Sequence, residues 1–387
     1  MHRSSCLFSD SVQVSRYNRS HQLMNRVVQT GATVAALAAM VFPTTAAVPS
    51  FVEITWMSMA NLHYQIEDIG IVTDGYITRI PEETFYGGPS GLAQTRTAIR
   101  PDVGNVRRVL NALGGSNHVT RLLTGHSHWD HSFDIGTWSK LTGAPIIGSQ
   151  TTCYQVLAEG VSPAQCQVAV GKEQIAITQD INLFVVRWNH SGDPSLNPEQ
   201  HNAVELNAAP EIDTATGGLR AGVAEDFPNG GGSRGFLFVV DSLEGRFSWF
   251  QQSSASAVDL HVPIVVNGVD YGAPIDNLRG ALADAHLDSV DLWIGTGGLP
   301  IAELIIPVLR PRAYLPIHWD GLWAPFEDGL PQPFSAPDLE NYLEQHDVTL
   351  VAPKQFMDKW RLDSTGIREL DNRAVKETLG FLDVQAF

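Results

Sequence analysis

The chain is poor in cysteine, in basic residues and in long apolar runs. Three cysteines in 387 residues exclude a disulfide-framework scaffold. None stands in a CxxC or Cys/His spacing, so a structural zinc site is not expected. Lys and Arg number 25 against 42 Asp and Glu, a formal charge of −17. Nucleic-acid binding rests on neutralising phosphates, and this balance opposes it. Small anionic ligands stay open, because an acidic protein can still hold a local cationic pocket. Charged residues make up only 17 % of the chain and apolar residues 43 %. That composition excludes a disordered chain, a collagen-like repeat and a coiled coil. A core of this size stands without metal or disulfide staples, so any metal would serve chemistry rather than folding.

The N-terminus reads as an export signal. Arg26 precedes the apolar run Thr30 to Phe42, and Pro43 ends it before small residues at Thr44 to Ala47. A basic head, a short apolar run and a small-residue exit make a secretory signal peptide. The run is too short to span a bilayer comfortably. An ordinary buried helix is the alternative. Residues before Met24 are polar and patternless, so translation is expected to start at Met24, with 1–47 as leader. Cleavage after Ala47 would remove Arg3, Arg16, Arg19, Arg26 and Asp10, leaving the remainder more acidic. No cysteine sits at the cleavage point, so no lipid anchor is expected. The destination is then the periplasm or the medium. Cys153 and Cys166 are either a disulfide, which persists outside the cytosol, or two buried thiols.

From residue 51 short strands alternate with helices, the pattern of α/β layers around extended sheets. Strands are expected at 52–56, 70–74, 119–124, 145–148, 183–188, 291–295, 313–318 and 348–351. Residues 236–241 and 246–250 read as a hairpin. Val103, Val106, Val109, Leu110 and Leu113 lie at helical spacing, and Gly114-Gly115 stops that helix. Further helices are expected at 278–287 and from a cap at Ser335–Asp338 to Gln345. Residues 191–235, rich in Pro, Asn, Ala and Gly, break the pattern as an insert, the kind of segment that forms a lid or binding loop. The main domain is expected over 51–355, and 356–387 reads as a loosely packed C-terminal tail.

Three strands end in histidine-bearing turns: Gly125-His126-Ser-His128-Trp-Asp130-His131, Asn189-His190 and Ile317-His318-Trp319. Imidazole and carboxylate are ligands that suit zinc and similar divalent ions. A turn leaving a strand can aim His126 and His128 at one point, and Asp130 and His131 at a second beside it. Paired metals activate water and polarise the bond it attacks. A lone histidine at a strand end, such as His190 or His318, is commonly a surface residue. Four potential ligands within six residues are not explained that way. His63, His118, His201, His261, His286 and His346 have no such company and read as structural or surface residues.

His126-Ser-His128-Trp-Asp130-His131 resembles the HxHxDH signature of the metallo-β-lactamase superfamily. Asp291 to Gly298 and Pro316 to Asp320 bear a weaker similarity to the branch of ascorbate-phosphate lactonases and N-acyl-phosphatidylethanolamine phospholipases. The resemblance covers about residues 52–355 and implies an α/β fold, a four-layer αβ/βα sandwich with the metal site at one edge. It implies metal ligation by His126, His128, Asp130, His131, His190 and His318. Asp74 is similar to the acid that supports the metal loop, and Asp130 to the residue that also orients the nucleophilic water. The cofactor implied is one or two zinc ions, or another divalent metal.

One departure concerns the acid that bridges the two metals in that family. The matching stretch, Phe247 to Ser254, has no acid, and Gln252, Ser253 or Ser254 stands in its place. A neutral group is a poor bridge between cations. Asp259 would serve only if its loop folds back. A single-metal site is therefore a second reading, with His126, His128 and His190 or with Asp130, His131 and His318. Trp129 and Trp319 flank the ligands and are expected at the substrate-pocket rim, which favours apolar substrates. No Lys/Arg cluster stands near the motif. The function expected is an exported metal-dependent hydrolase of a small, rather apolar ester, lactone or amide. A phosphodiesterase or phospholipase is one alternative; a non-catalytic metal- or ligand-binding protein is another. The partner expected is a small-molecule substrate, with no nucleic acid and no stable membrane anchor.

Overall fold

A computed structural model describes residues 48–87, 93–95, 97–219 and 226–381. The expected leader, 1–47, lies outside the described residues, as does part of the insert, 220–225. Two large mixed sheets carry the fold. The first has eight strands in the spatial order Gly366–Leu370, Asp358–Asp363, Val52–Ser58, Asn61–Ile66, Ile69–Thr73, Arg121–Leu123, Ile146–Gly148 and Cys166–Val168. The second has seven: Thr349–Leu350, Ala313–Pro316, Leu292–Gly295, Phe247–Gln252, Ser233–Val240, Ile181–Trp188 and Gln174–Ala176.

Period-two alternation sorts the side chains between two apolar layers. Leu183 and Val185 join the core shared by both sheets, with Ile54, Leu62, Phe238 and Trp249. Tyr64 of the first sheet meets Phe238 and Trp249 of the second at ring distances of 5.4 and 5.2 Å. Phe184 and Val186 point the other way, toward the helices Pro274–Asp284, Gly298–Leu309 and Pro337–Gln345. Helices Val103–Ala112 and Ile135–Thr142 supply Val106, Val109, Ile135 and Trp138 to the first sheet. Helix, sheet, sheet, helix is the αβ/βα sandwich that was expected. Five strands, Ile69–Thr73, Arg121–Leu123, Ile181–Trp188, Phe247–Gln252 and Ala313–Pro316, each deliver a polar loop at their C-terminal ends.

Several local expectations change. The stretch from 356, expected as a loose tail, is built into the first sheet. Asp358–Asp363 pairs with Val52–Ser58, and Trp360 stands opposite Ile54 with 2 % of its surface exposed. Alternation at Asp358, Trp360 and Leu362, whose side chains are buried, marks that strand. Ser335 does not cap the helix it precedes. The cap is Ala336, whose backbone N–H donates to the Glu340 carboxylate at 2.9 Å. The helices Gln150–Ala158 and Gly298–Leu309 are additional to those expected; the second buries Ile301, Ala302, Ile305, Ile306 and Leu309 at helical spacing despite an internal Pro307. Cys153 and Cys166 form a disulfide, which ties the edge strand Cys166–Val168 to the helix Gln150–Ala158. Closing so short a loop contributes about 3 kcal/mol in the chain-entropy account.

Trp360→Ala tests the place of the last hairpin. Removing a buried tryptophan from the sandwich should cost about 3–5 kcal/mol in urea denaturation. A loose tail would show no change.

Candidate metal centre

Asp74 follows the strand Ile69–Thr73 and is fully buried. It adopts the left-handed region at φ 59°, uncommon for an aspartate without a reason. The reason is on both sides of its carboxylate. Oδ1 accepts the Gly125 N–H at 2.6 Å and Oδ2 accepts from His131 Nδ1 at 2.9 Å. Its own N–H donates to the Leu123 carbonyl at 2.8 Å. One side chain thereby fixes where the histidine loop starts and which way His131 faces. His131 then presents Nε2 to the site, the arrangement by which a carboxylate orients a ligating imidazole.

Gly125 is required by crowding. A Cβ there would fall 2.1 Å from Ser253 Oγ. The Gly125 carbonyl accepts the Arg234 N–H at 2.7 Å, joining the loop to the second sheet. The end of the insert closes over the same loop: Ser127 Oγ donates to the Pro228 carbonyl at 2.5 Å. Gln155 Nε2 donates to the carbonyls of Ser127 and Asp226 at 2.8 and 2.9 Å.

His190 arrives from the strand Ile181–Trp188, with Nδ1 donating to the Ser191 carbonyl at 2.8 Å. His318 arrives after Ala313–Pro316 with φ 61°. Its N–H donates to the Met59 carbonyl at 3.1 Å. Two residues on, the Asp320 carboxylate accepts the Met59 N–H at 3.0 Å and Arg79 Nη2 at 3.2 Å. Arg79 carried no motif signal, and Asp320 only closed the weakly similar segment from Pro316; they act by clamping the His318 turn against Met59.

The six expected ligands come together. Donor atoms of His126, His128 and His190 lie within 4.8 Å of one another, and so do those of His126, Asp130 and His131. His126 belongs to both groups. His318 Nε2 lies 3.2 Å from Asp130 Oδ2 and 3.3 Å from His131 Nε2. Among the described residues Asp130 is the only carboxylate in either group. Of the three residues at the missing acid's place, Gln252 donates to the Thr296 carbonyl at 2.9 Å, and Ser254 Oγ accepts the Ser191 N–H at 2.8 Å. Ser253 is left beside Gly125 with its buried hydroxyl unpartnered. Asp259 does not fold back into either group.

The electrostatics separate the two ends of the centre. Burial, then the neighbouring histidines, hold His126 and His190 well below the ordinary imidazole range. Burial likewise lowers His128 to about 4, against the pull of Asp130. These rings are neutral near pH 7, and both nitrogens of His126 are buried without a partner. A buried imidazole that no hydrogen bond satisfies is costly unless a cation takes its lone pair. The donor set therefore fits a divalent metal. Burial opposes the His131 imidazolium, but Asp130 and Asp74 outweigh it and raise the ring to about 10. Burial works against the Asp130 carboxylate too, yet His131 and His318 hold it ionised.

Trp129 is 5 % exposed and packs between Tyr76 and Trp323, ring distances 5.4 Å each, in a cluster with Leu219 and Phe227. Trp319 is half-buried and stacks on Trp56 at 5.9 Å. Both side chains thus serve packing of the site's walls. The cavity that reaches His190 is walled elsewhere, by Trp188, His201, Asn229 and Val262 among others. His201, read as a structural or surface residue, stands here with its ring 5.6 Å from that of His190. It comes from the insert, where nothing in the spacing marks it.

A two-sheet αβ/βα sandwich with a histidine-rich centre at the strand ends is the class this fold and site define, and the chain resembles the metallo-β-lactamase superfamily in both. No family model matches the chain. Over 140 residues it is 29 % identical to a UPF0173 metal-dependent hydrolase of Dinoroseobacter shibae, covering 36 % of this chain and 49 % of that protein. The chain thus spans about half the length of the curated relative it matches. It is also similar to a metallo hydrolase of Ignicoccus hospitalis, at 12 % identity over 81 % of this chain and 99 % of that one, TM-score 0.45. A metallo-beta-lactamase fold protein of Bacillus subtilis shows 8 % identity over 81 % and 99 %, TM-score 0.43.

Asp74→Asn tests the strap. In the metal-free protein the raised pKa of His131 contributes stability that is fully present below about pH 6.5 and lost as pH rises through about 10. The variant should therefore lose about 3 kcal/mol at pH 6 and less at pH 10. Denaturant titrations at the two pH values read this; an equal loss at both would contradict the assignment.

Proposed function

We propose that this protein is a metal-dependent hydrolase acting on a small, rather apolar ester, lactone or amide. The observation that carries the reading is the pair of buried ligand groups sharing His126 at the strand ends, one neutral and one holding a carboxylate. The metal proposed is zinc, which takes imidazole and carboxylate ligands together. A bound divalent ion would supply Lewis-acid polarisation of a carbonyl and a water activated near neutral pH. His126, His128 and His190 would hold one ion, and Asp130, His131 and His318 would hold a second. The Asp130 carboxylate engages His131 and His318 through Oδ2, which leaves Oδ1 to orient the attacking water and take its proton. Asp74 keeps His131 in the tautomer that presents Nε2 inward.

The lack of a bridging acid supports unequal affinity for the two ions, with the second held weakly. Ser253 is the position where an acid would have to stand. Export to the periplasm or medium is part of the proposal, supported by the leader pattern and by the Cys153–Cys166 bridge. Among the described residues no helix is long and apolar enough to cross a membrane.

Metal content of the purified protein and hydrolysis of p-nitrophenyl butyrate test the reading together. Wild type should hold about one to two equivalents of zinc, with chelation abolishing turnover and zinc restoring it. His128→Ala and Asp130→Asn should each lower turnover by at least about a hundredfold. Protein that holds no metal after loading would overturn the proposal.

A further inference from the structure

Beside His190, outside both ligand groups, a cavity of about 390 Å³ opens between the insert and the segment following Phe247–Gln252. Val204, Val262, Ile264 and Val265 are among the residues that line it. Val204, Val262 and Val265 leave 47, 53 and 61 % of their surface exposed. Three valines so uncovered at the mouth of one cavity are costly in water unless something apolar lies against them. The volume suits a short acyl chain.

Three residues that line it carry a buried polar atom without a hydrogen-bond partner: His201 Nε2, Trp188 Nε1 and Asn229 Oδ1. His201 ends the short helix Pro198–His201, and its side chain is nine-tenths buried. Nδ1 faces Asp259 Oδ2 at 3.6 Å. Asp259 is itself fixed, because its Oδ1 accepts Asn189 Nδ2 at 2.6 Å, and Asn189 Nδ2 also donates to the Ser256 carbonyl at 2.8 Å. A carboxylate facing Nδ1 keeps the proton on that nitrogen, so Nε2 is left as an acceptor. His201 Nε2 is buried and makes no hydrogen bond. At His201 a buried acceptor favours a ligand that brings a donor, and the unpartnered Trp188 N–H of the same cavity favours one that also brings an acceptor, as an amide carbonyl does.

We infer that this cavity is a substrate subsite for a short acyl chain joined to a secondary amide, whose N–H donates to His201 Nε2 while the chain lies against the valines. An ester or lactone oxygen carries no hydrogen and would set lone pair against lone pair at that nitrogen. Asp259 is then a positioning residue, acting through the His201 tautomer. The inference rests on the hydrolase reading for the word substrate and narrows it to amide-bearing compounds; the subsite itself is tested by binding.

The test compares N-methylhexanamide, which has one N–H, with N,N-dimethylhexanamide, which has none. Dissociation constants are measured by ligand-observed NMR on the zinc-loaded full chain. Wild type should favour the N–H compound by about tenfold, the worth of one buried hydrogen bond. His201→Ala and Asp259→Asn should bring that ratio to about one with zinc content unchanged. His201→Gln, which restores an acceptor oxygen, should recover part of it. Val262→Asp should weaken both amides alike and keep the ratio. A ratio untouched by His201→Ala and His201→Gln overturns the inference, and so does loss of zinc in His201→Ala, which would make the residue a ligand. If the wild-type ratio holds while no amide or ester is turned over, the subsite stands and the hydrolase reading fails.

Discussion

The Asp74 carboxylate is the contact on which the centre depends. It accepts from Gly125 N–H and from His131 Nδ1 at once, so it ties a strand end of the first sheet to both ends of the ligand loop. Every other element of the site is set relative to that loop. The second sheet reaches it through Arg234 N–H on the Gly125 carbonyl. The insert reaches it through Ser127 and Gln155. An unpaired carboxylate at this depth would be prohibitively costly. Paired, it keeps one ring pointed inward before any metal arrives, which reduces the reorganisation that binding requires.

The centre is asymmetric in charge. One group is three neutral imidazoles; the other holds an ionised Asp130 between His131 and His318. Among the described residues no second carboxylate joins either group, so two dications, if both were bound as proposed, would be unequally balanced. That imbalance links the ligand chemistry to the proposed unequal occupancy, and it leaves Asp130 as the group able to manage the proton of an attacking water. The insert does more than cover this centre. It contributes His201 and Val204 to the cavity beside His190, so the part of the chain with least pattern lines the proposed subsite.

Much of this was legible from local pattern. Alternating and short apolar runs marked most strands, because a half-buried strand must alternate and a doubly covered one must be apolar throughout. Four potential ligands in six residues marked the loop, because metal chemistry needs donor density. What stayed hidden depends on long-range contact. Arg79 and Asp320 meet across 241 residues. His201 and Asp259 meet only because the insert and the segment after Phe247–Gln252 fold onto one another. Trp360 was overlooked for a different reason: its strand follows what reads as a complete domain, and the register against Val52–Ser58 shows that the first sheet needs it.

X-ray absorption at the zinc edge of the loaded protein tests the central claim most directly. The account predicts a first shell of nitrogen and oxygen at about 2.0–2.1 Å with the outer-shell scattering of several imidazoles and no sulfur. It also predicts that the imidazole signal falls in His126→Ala, because that ring is one of the three that would hold the first ion. A shell of oxygens alone, or one unchanged by His126→Ala, would contradict it.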